Sequence, residues 1–139
     1  MTDPVRVFFY GGLINPEVMT RVGLPQREQI VATVPGFQIR IEPWVTLQPC
    51  PLSTCYGVVM PVSHQELEAV YAKLAVPYFP YPVIAQTADT AIAALTYLAG
   101  PMERRVADEA HIAPLLSAAE GLNFPGWYLN EIRSFLPAL

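Results

Sequence analysis

Hydrophobic positions along this chain follow two rhythms, and the places where the rhythm changes mark out its elements. Residues 6–9 form a short β-branched and aromatic run that reads as a strand. The run breaks into Tyr10-Gly11-Gly12-Leu13, and a helix signal follows at once. Asn15 is a good N-cap, Pro16 suits the first helical position, and Glu17 complements the positive end of the helix dipole. The pattern predicts a helix over 16–22, with Gly23 closing it as the C′ residue. From 29 to 47 the chain reads as extended, broken at Pro35-Gly36 and Pro43, with period-two alternation over 38–41. A loop rich in proline, carrying Cys50, then leads to a strand over 55–60.

The rhythm next becomes helical. Ser63 and Glu66 have the spacing of a capping box, and Leu67, Val70, Tyr71 and Leu74 follow at i, i+3, i+4 and i+7 as one inward stripe. Extended segments over 83–87 and 92–98 are separated by an Ala-Asp-Thr turn. Helical patterns return over 108–121 and 125–135, with Pro125 at a helix start. The resulting order, β-α-β-β-β-α-β-β-α-α, lacks the regular alternation of a doubly wound parallel sheet. It predicts an α+β fold: a small, mostly antiparallel and strongly curved sheet or barrel with flanking helices.

Composition narrows the class. The chain has 139 residues, which fits one domain spanning 1–139 with a real core. Hydrophobic residues make up 53% and charged residues 14%, below the usual quarter, so some apolar surface stays exposed and a homodimer is one outlet for it. Pro, Gly and charges interrupt every apolar run before it reaches the roughly 18 residues of a membrane span. The opening Met1-Thr2-Asp3-Pro4 lacks the basic and apolar regions of a secretory signal. A net charge of −4 disfavours nucleic acid as the main partner. The expectation is a cytoplasmic protein with neither a membrane nor a nucleic-acid partner. Cys50 and Cys55, without companion ligands, read as free thiols rather than a metal site, and no cofactor motif is present.

The chemistry concentrates at the first turn. A strand that ends in glycines just before a helix start exposes several backbone N–H groups in one place, a cradle for a carboxylate or phosphate. The bland alternative is a tight turn that needs glycine for its backbone. The Gly-X4-Gly-Lys-Ser/Thr pattern of a nucleotide loop is absent. His64 reads as solvated, Glu103-Arg104-Arg105 as a surface charge run, and Trp44 and Trp127 as core or interface anchors.

Three landmarks resemble the gamma-glutamylcyclotransferase-like family. Phe9-Tyr10-Gly11-Gly12-Leu13 is similar to the family's Tyr-Gly-Ser/Thr-Leu loop. Tyr56-Gly57-Val58-Val59, followed by the Ser63–Val70 stretch, resembles its strand and Ser-X-X-Glu-Leu helix. Ala118-Ala119-Glu120, Phe124-Pro125 and Tyr128-Leu129 resemble its ending. They occur in order over nearly the whole chain. The resemblance implies a small mixed barrel with surrounding helices.

It also implies cyclisation of a gamma-glutamyl group to 5-oxoproline. There the substrate's α-amine attacks its own γ-carbonyl, and positioning supplies much of the rate. In the family one glutamate at the end of the second helix carries the protons. Its position here is Leu74, in Tyr71-Ala72-Lys73-Leu74-Ala75, where the family pattern is Asp-X-aromatic-Glu-Gly. Glu68 lies roughly 120° round that helix from Leu74, and Glu66 about 12 Å along it; neither is a ready substitute. Loss of a general acid–base costs about 10²–10⁴ in rate. Gly12 stands where the family often has Ser or Thr, and His111 where it often has an aromatic.

Tyr81, or Tyr78 if the loop before it is shorter, falls at the family's pocket tyrosine. The expected ligand residues are therefore Tyr10, Gly11, Gly12, Leu13 and Tyr81, around a pocket for an amino-acid-like or gamma-glutamyl carboxylate, with no catalytic residue in place. One alternative is a working cyclotransferase that uses His111, whose imidazole type titrates near neutrality, or Tyr81. The other is a scaffold or interaction protein.

Overall fold

A computed structural model describes residues 4–42, 44–72, 77–100, 107 and 109–136. Leu74 and the 103–105 charge run lie outside the described residues.

The chain opens with β1 (Val5–Phe9), then a single 3₁₀ turn (Gly12–Ile14) and α1 (Pro16–Arg21). Asn15 caps α1 as its type demands: Oδ1 accepts from the Glu17 N–H at 2.9 Å. At the other end Gly23 has φ +82°. Its N–H reaches the Thr20 carbonyl and the Leu24 N–H reaches that of Met19, the paired bonds of a Schellman stop.

Two long strands follow, β2 (Ile30–Ile41) and β3 (Val45–Val62). Three extended segments were expected across this region; the structure has two. Pro35-Gly36 bends β2 without ending it, because Gly36 takes φ +86° and the register slips there. Pro35 pairs with Thr54 and Phe37 with Pro49, so residues 50–53 stand opposite Gly36. The expected loop around Cys50 is therefore part of one continuous strand, at its irregularity. Both thiols are free. Cys55 is buried with its Sγ 3.5 Å from the Val34 carbonyl, and burial pushes the thiol up to about 12.

The capping box forms at α2 (His64–Tyr71). Ser63 Oγ accepts from the Glu66 N–H at 3.1 Å, and Glu66 Oε1 accepts from the Ser63 N–H at 2.9 Å. Glu66 also receives Arg27 in a bidentate ion pair, and the guanidinium holds its carboxyl down at about 2. Leu67 and Val70 carry the stripe into the core.

β4 (Tyr78–Gln86) and β5 (Ala91–Ala99) pair antiparallel along their full length. β4 starts five residues before the predicted strand and runs through Pro80 and Pro82. Prolines two apart direct their missing N–H groups to one side. That side is open here, since β4 meets β2 only at Thr33 and Gln86. The last helices are α3 (Glu109–Gly121) and α4 (Gly126–Arg133). Pro125 is the N-cap of α4 and not its first helical residue, with ψ 150°.

The strands close into a mixed five-stranded barrel in the order β1-β3-β2-β4-β5. Its seam is the parallel pairing of β1 with β5, at Val7 and Leu95. The buried Thr96 hydroxyl strengthens that seam by donating to the Phe8 carbonyl at 2.9 Å. Val7, Phe8 and Phe9 are all buried, so this part of β1 has no solvent face, while Arg6 before it is exposed. Gly57 permits this packing: a Cβ there would stand 2.1 Å from the Phe9 carbonyl oxygen and 2.8 Å from the Phe8 ring. This is the small mixed barrel with flanking helices that the sequence pattern and the resemblance both implied.

Candidate functional site

The C-terminal ends of β1 and β5 lie side by side because these strands run parallel. Tyr10 follows the one and Tyr97 lies near the end of the other. The starts of β3 and β4 add Val45 and Tyr78, and the end of α2 adds Val70 and Tyr71. These residues surround a cavity of about 450 Å³. The 10–13 turn forms one wall, and Trp44 and His111 form another. The volume is in the lower part of the range for pockets that hold one small ligand.

The turn is built so that some of its donors stay unused. The Ile14 and Asn15 N–H groups bond back to the Gly11 and Gly12 carbonyls, at 3.1 and 3.0 Å. The first N–H groups of a helical turn have no partner behind them. Among the described residues those of Gly12 and Leu13 accordingly make no backbone hydrogen bond. Asn15 fixes the turn from outside: its Nδ2 donates to the Pro114 carbonyl of α3 at 2.9 Å.

Two tyrosines of the wall have committed their protons. Tyr10 donates to the Tyr97 carbonyl, and Tyr78 to the Val45 carbonyl, each at 2.6 Å. Burial, with Tyr78 and Tyr71 close by, pushes the Tyr10 phenol well up. Burial likewise raises Tyr71, takes Tyr78 to about 12, and raises Tyr97. All four stay neutral at physiological pH, so none serves as a base. Tyr71 stacks on Tyr97 with ring centroids 4.3 Å apart.

His111 sits 4.8 Å from Trp44, ring centroid to ring centroid. Its Nδ1 is buried and finds no hydrogen-bond partner among the described residues. Among those residues no Asp or Glu lines the cavity. Glu66 is held by Arg27 and the helix cap, and Glu68 is exposed on α2.

The structure thus brings the consecutive Tyr10, Gly11, Gly12 and Leu13 together with His111, far along the chain. It does not bring Tyr81 to them. Tyr81 is 45% exposed on β4 and packs edge-on against Phe37. Tyr78, the alternative at this position, lines the cavity instead. An extra odd number of strand residues reverses the face a side chain takes, and β4 begins earlier than its prolines implied. Trp44 also belongs to the wall, beyond the anchoring role expected of it. Tyr97 carries no local signal at all; the parallel seam places it. Tyr71 was legible as inward-facing through its helical spacing.

A mixed five-stranded barrel with a small aromatic hollow at one end defines the class. No family model and no curated protein matches the sequence. Solved structures do match. A gamma-glutamyl cyclotransferase aligns with TM-score 0.81 at 16% identity, covering 96% of this chain and 89% of that one. An uncharacterized protein from Homo sapiens aligns with TM-score 0.85 at 16% identity, over 99% of this chain and 90% of the other. YkqA from Bacillus subtilis aligns with TM-score 0.80 at 16% identity, over 99% of this chain and 56% of its own. The chain has the gamma-glutamyl cyclotransferase fold, as the resemblance in its sequence implied. Among the described residues there is no cluster of potential metal ligands, and no helix long and apolar enough to cross a membrane.

Proposed function

We propose that this protein binds a small carboxylate in the cavity at the 10–13 turn and does not form 5-oxoproline. The observation that carries the reading is one of chemistry: the hollow gathers unused backbone donors, and no described carboxylate lines it. Cyclisation needs a group to take a proton from the substrate's ammonium and return one to the leaving amine. The residue at the family's glutamate position is Leu74, which carries no proton. Tyr10, Gly11, Gly12 and Leu13 hold the ligand in this reading, and Tyr78 takes the wall position that the sequence assigned to Tyr81.

A second reading has one specific observation in its favour. The unpartnered Nδ1 of His111 stands at the wall of the same cavity, so a relocated proton carrier is chemically admissible.

Incubating the purified protein with a panel of gamma-glutamyl amino acids and amines separates the two. The proposal expects no 5-oxoproline release. Turnover that is lost in a 10–13 loop mutant overturns it. Turnover that also disappears in His111→Ala establishes the second reading. Calorimetry without any ligand binding, alongside a stable dimer in light scattering, leaves the scaffold role.

A further inference from the structure

The aromatic part of the lining has its own chemistry. It consists of Trp44, Tyr71, Tyr78 and Tyr97, supported by Phe8 and Val70. Tyr78 has given its phenol proton to the Val45 carbonyl, and Tyr10 of the turn has given its own to the Tyr97 carbonyl. No Lys, Arg, Asp, Glu, Asn, Gln, Ser or Thr lines the cavity among the described residues. A gamma-glutamyl group entering this space would carry a buried ammonium with no carboxylate among the described lining residues to pair it. A flat apolar ring would replace water against indole and phenol faces, where offset and edge-on contacts are favourable.

We propose that the cavity is selective for an aromatic carboxylate, its ring held by Trp44, Tyr71, Tyr78 and Tyr97, over a gamma-glutamyl compound. This rests on the preceding reading for the carboxylate end; the new claim concerns the other end of the ligand. It accounts for an aromatic lining that, among the described residues, holds no carboxylate. A ligand of this class has no ammonium to deprotonate and no γ-carbonyl to attack, so the cavity needs no acid–base group.

Tryptophan fluorescence reads the site directly, because the chain has two tryptophans and Trp44 lies in the wall. Trp127 is 53% exposed on α4, away from the cavity, so Trp127→Phe leaves Trp44 as the reporter. The probes are phenylacetate, phenethylamine and gamma-glutamylalanine, with calorimetry on the unmutated protein in parallel. Phenylacetate should perturb Trp44 and bind at least about tenfold more tightly than either of the others. Equal or tighter binding of gamma-glutamylalanine overturns the aromatic selectivity and leaves the carboxylate pocket standing. Tighter binding of phenethylamine shows a cation-binding aromatic cage and overturns it too. If no probe binds by calorimetry, the pocket reading itself falls.

Gly12→Asp tests the carboxylate end separately. A Cβ at Gly12 meets nothing within 4 Å, so the change is tolerated sterically. It should weaken phenylacetate by about tenfold or more through like-charge repulsion, with phenethylamine unaffected or improved. Unchanged phenylacetate binding removes the carboxylate from the turn.

Discussion

Asn15 ties the glycine turn to a helix almost a hundred residues later: its Nδ2 donates to the carbonyl of Pro114 at 2.9 Å, while its Oδ1 caps α1. One side chain thereby sets both the start of α1 and the distance between the turn and the helix that carries His111. Replacing it by alanine should cost about 1–2 kcal/mol, read as a lower midpoint in urea unfolding. Asn15→Asp keeps the cap and loses the donor. It should recover part of the stability and leave ligand affinity reduced, which distinguishes the cap from the tie.

The Glu66–Arg27 pair makes stability depend on acid. The guanidinium holds the folded-state carboxyl at about 2, below the roughly 4.3 of an unfolded chain. A depressed folded value means that the contribution is fully present above the unfolded value and is lost as pH falls from about 4 towards 2. Glu66→Gln should therefore be less stable than the parent by about 1 kcal/mol at neutral pH. The two unfolding curves should converge near pH 2. Parallel curves across that range would contradict the assignment.

Gly57 follows the last β1–β3 pair, Phe9 with Val58, and leaves no room for a side chain. Gly57→Ala places a carbon 2.1 Å from the Phe9 carbonyl oxygen, so the strands must separate. The expected cost is about 3 kcal/mol or more, seen in chemical denaturation. Gly12→Ala, with open space around its Cβ, should shift stability by less than about 1 kcal/mol.

Leu74→Glu restores the residue type that the family uses for proton transfer. In a hollow that admits a gamma-glutamyl compound, this variant should release 5-oxoproline where the parent releases none, measured by chromatography of the product. No gain, together with retained phenylacetate binding, is the outcome expected if the pocket has also become specific for aromatic ligands.

Local sequence was sufficient wherever a structure depends on a few neighbouring residues. The capping bonds of Asn15, Gly23, Ser63 and Glu66 all lie within a few residues, and each cap does what its type and spacing imply. The Tyr10-Gly11-Gly12-Leu13 turn was legible for the same reason. Prolines misled, because their effect depends on which side of a strand is open. Pro80 and Pro82 sit inside β4 at an unpaired edge, and the Pro49–Pro51 region sits in β3 at a register slip.

The sequence by itself determined the caps that start α1 and α2, the inward positions Leu67 and Val70, the glycine turn and the absence of a carboxylate at position 74. Tertiary structure decided what faces that turn. Only the parallel closure of β1 on β5 puts Tyr97 beside Tyr10, and only the earlier start of β4 substitutes Tyr78 for Tyr81. Strand pairing is a choice among distant partners and a single step of register reverses a side chain's face, so these neighbours are specified by the closed barrel as a whole and by no short stretch of it.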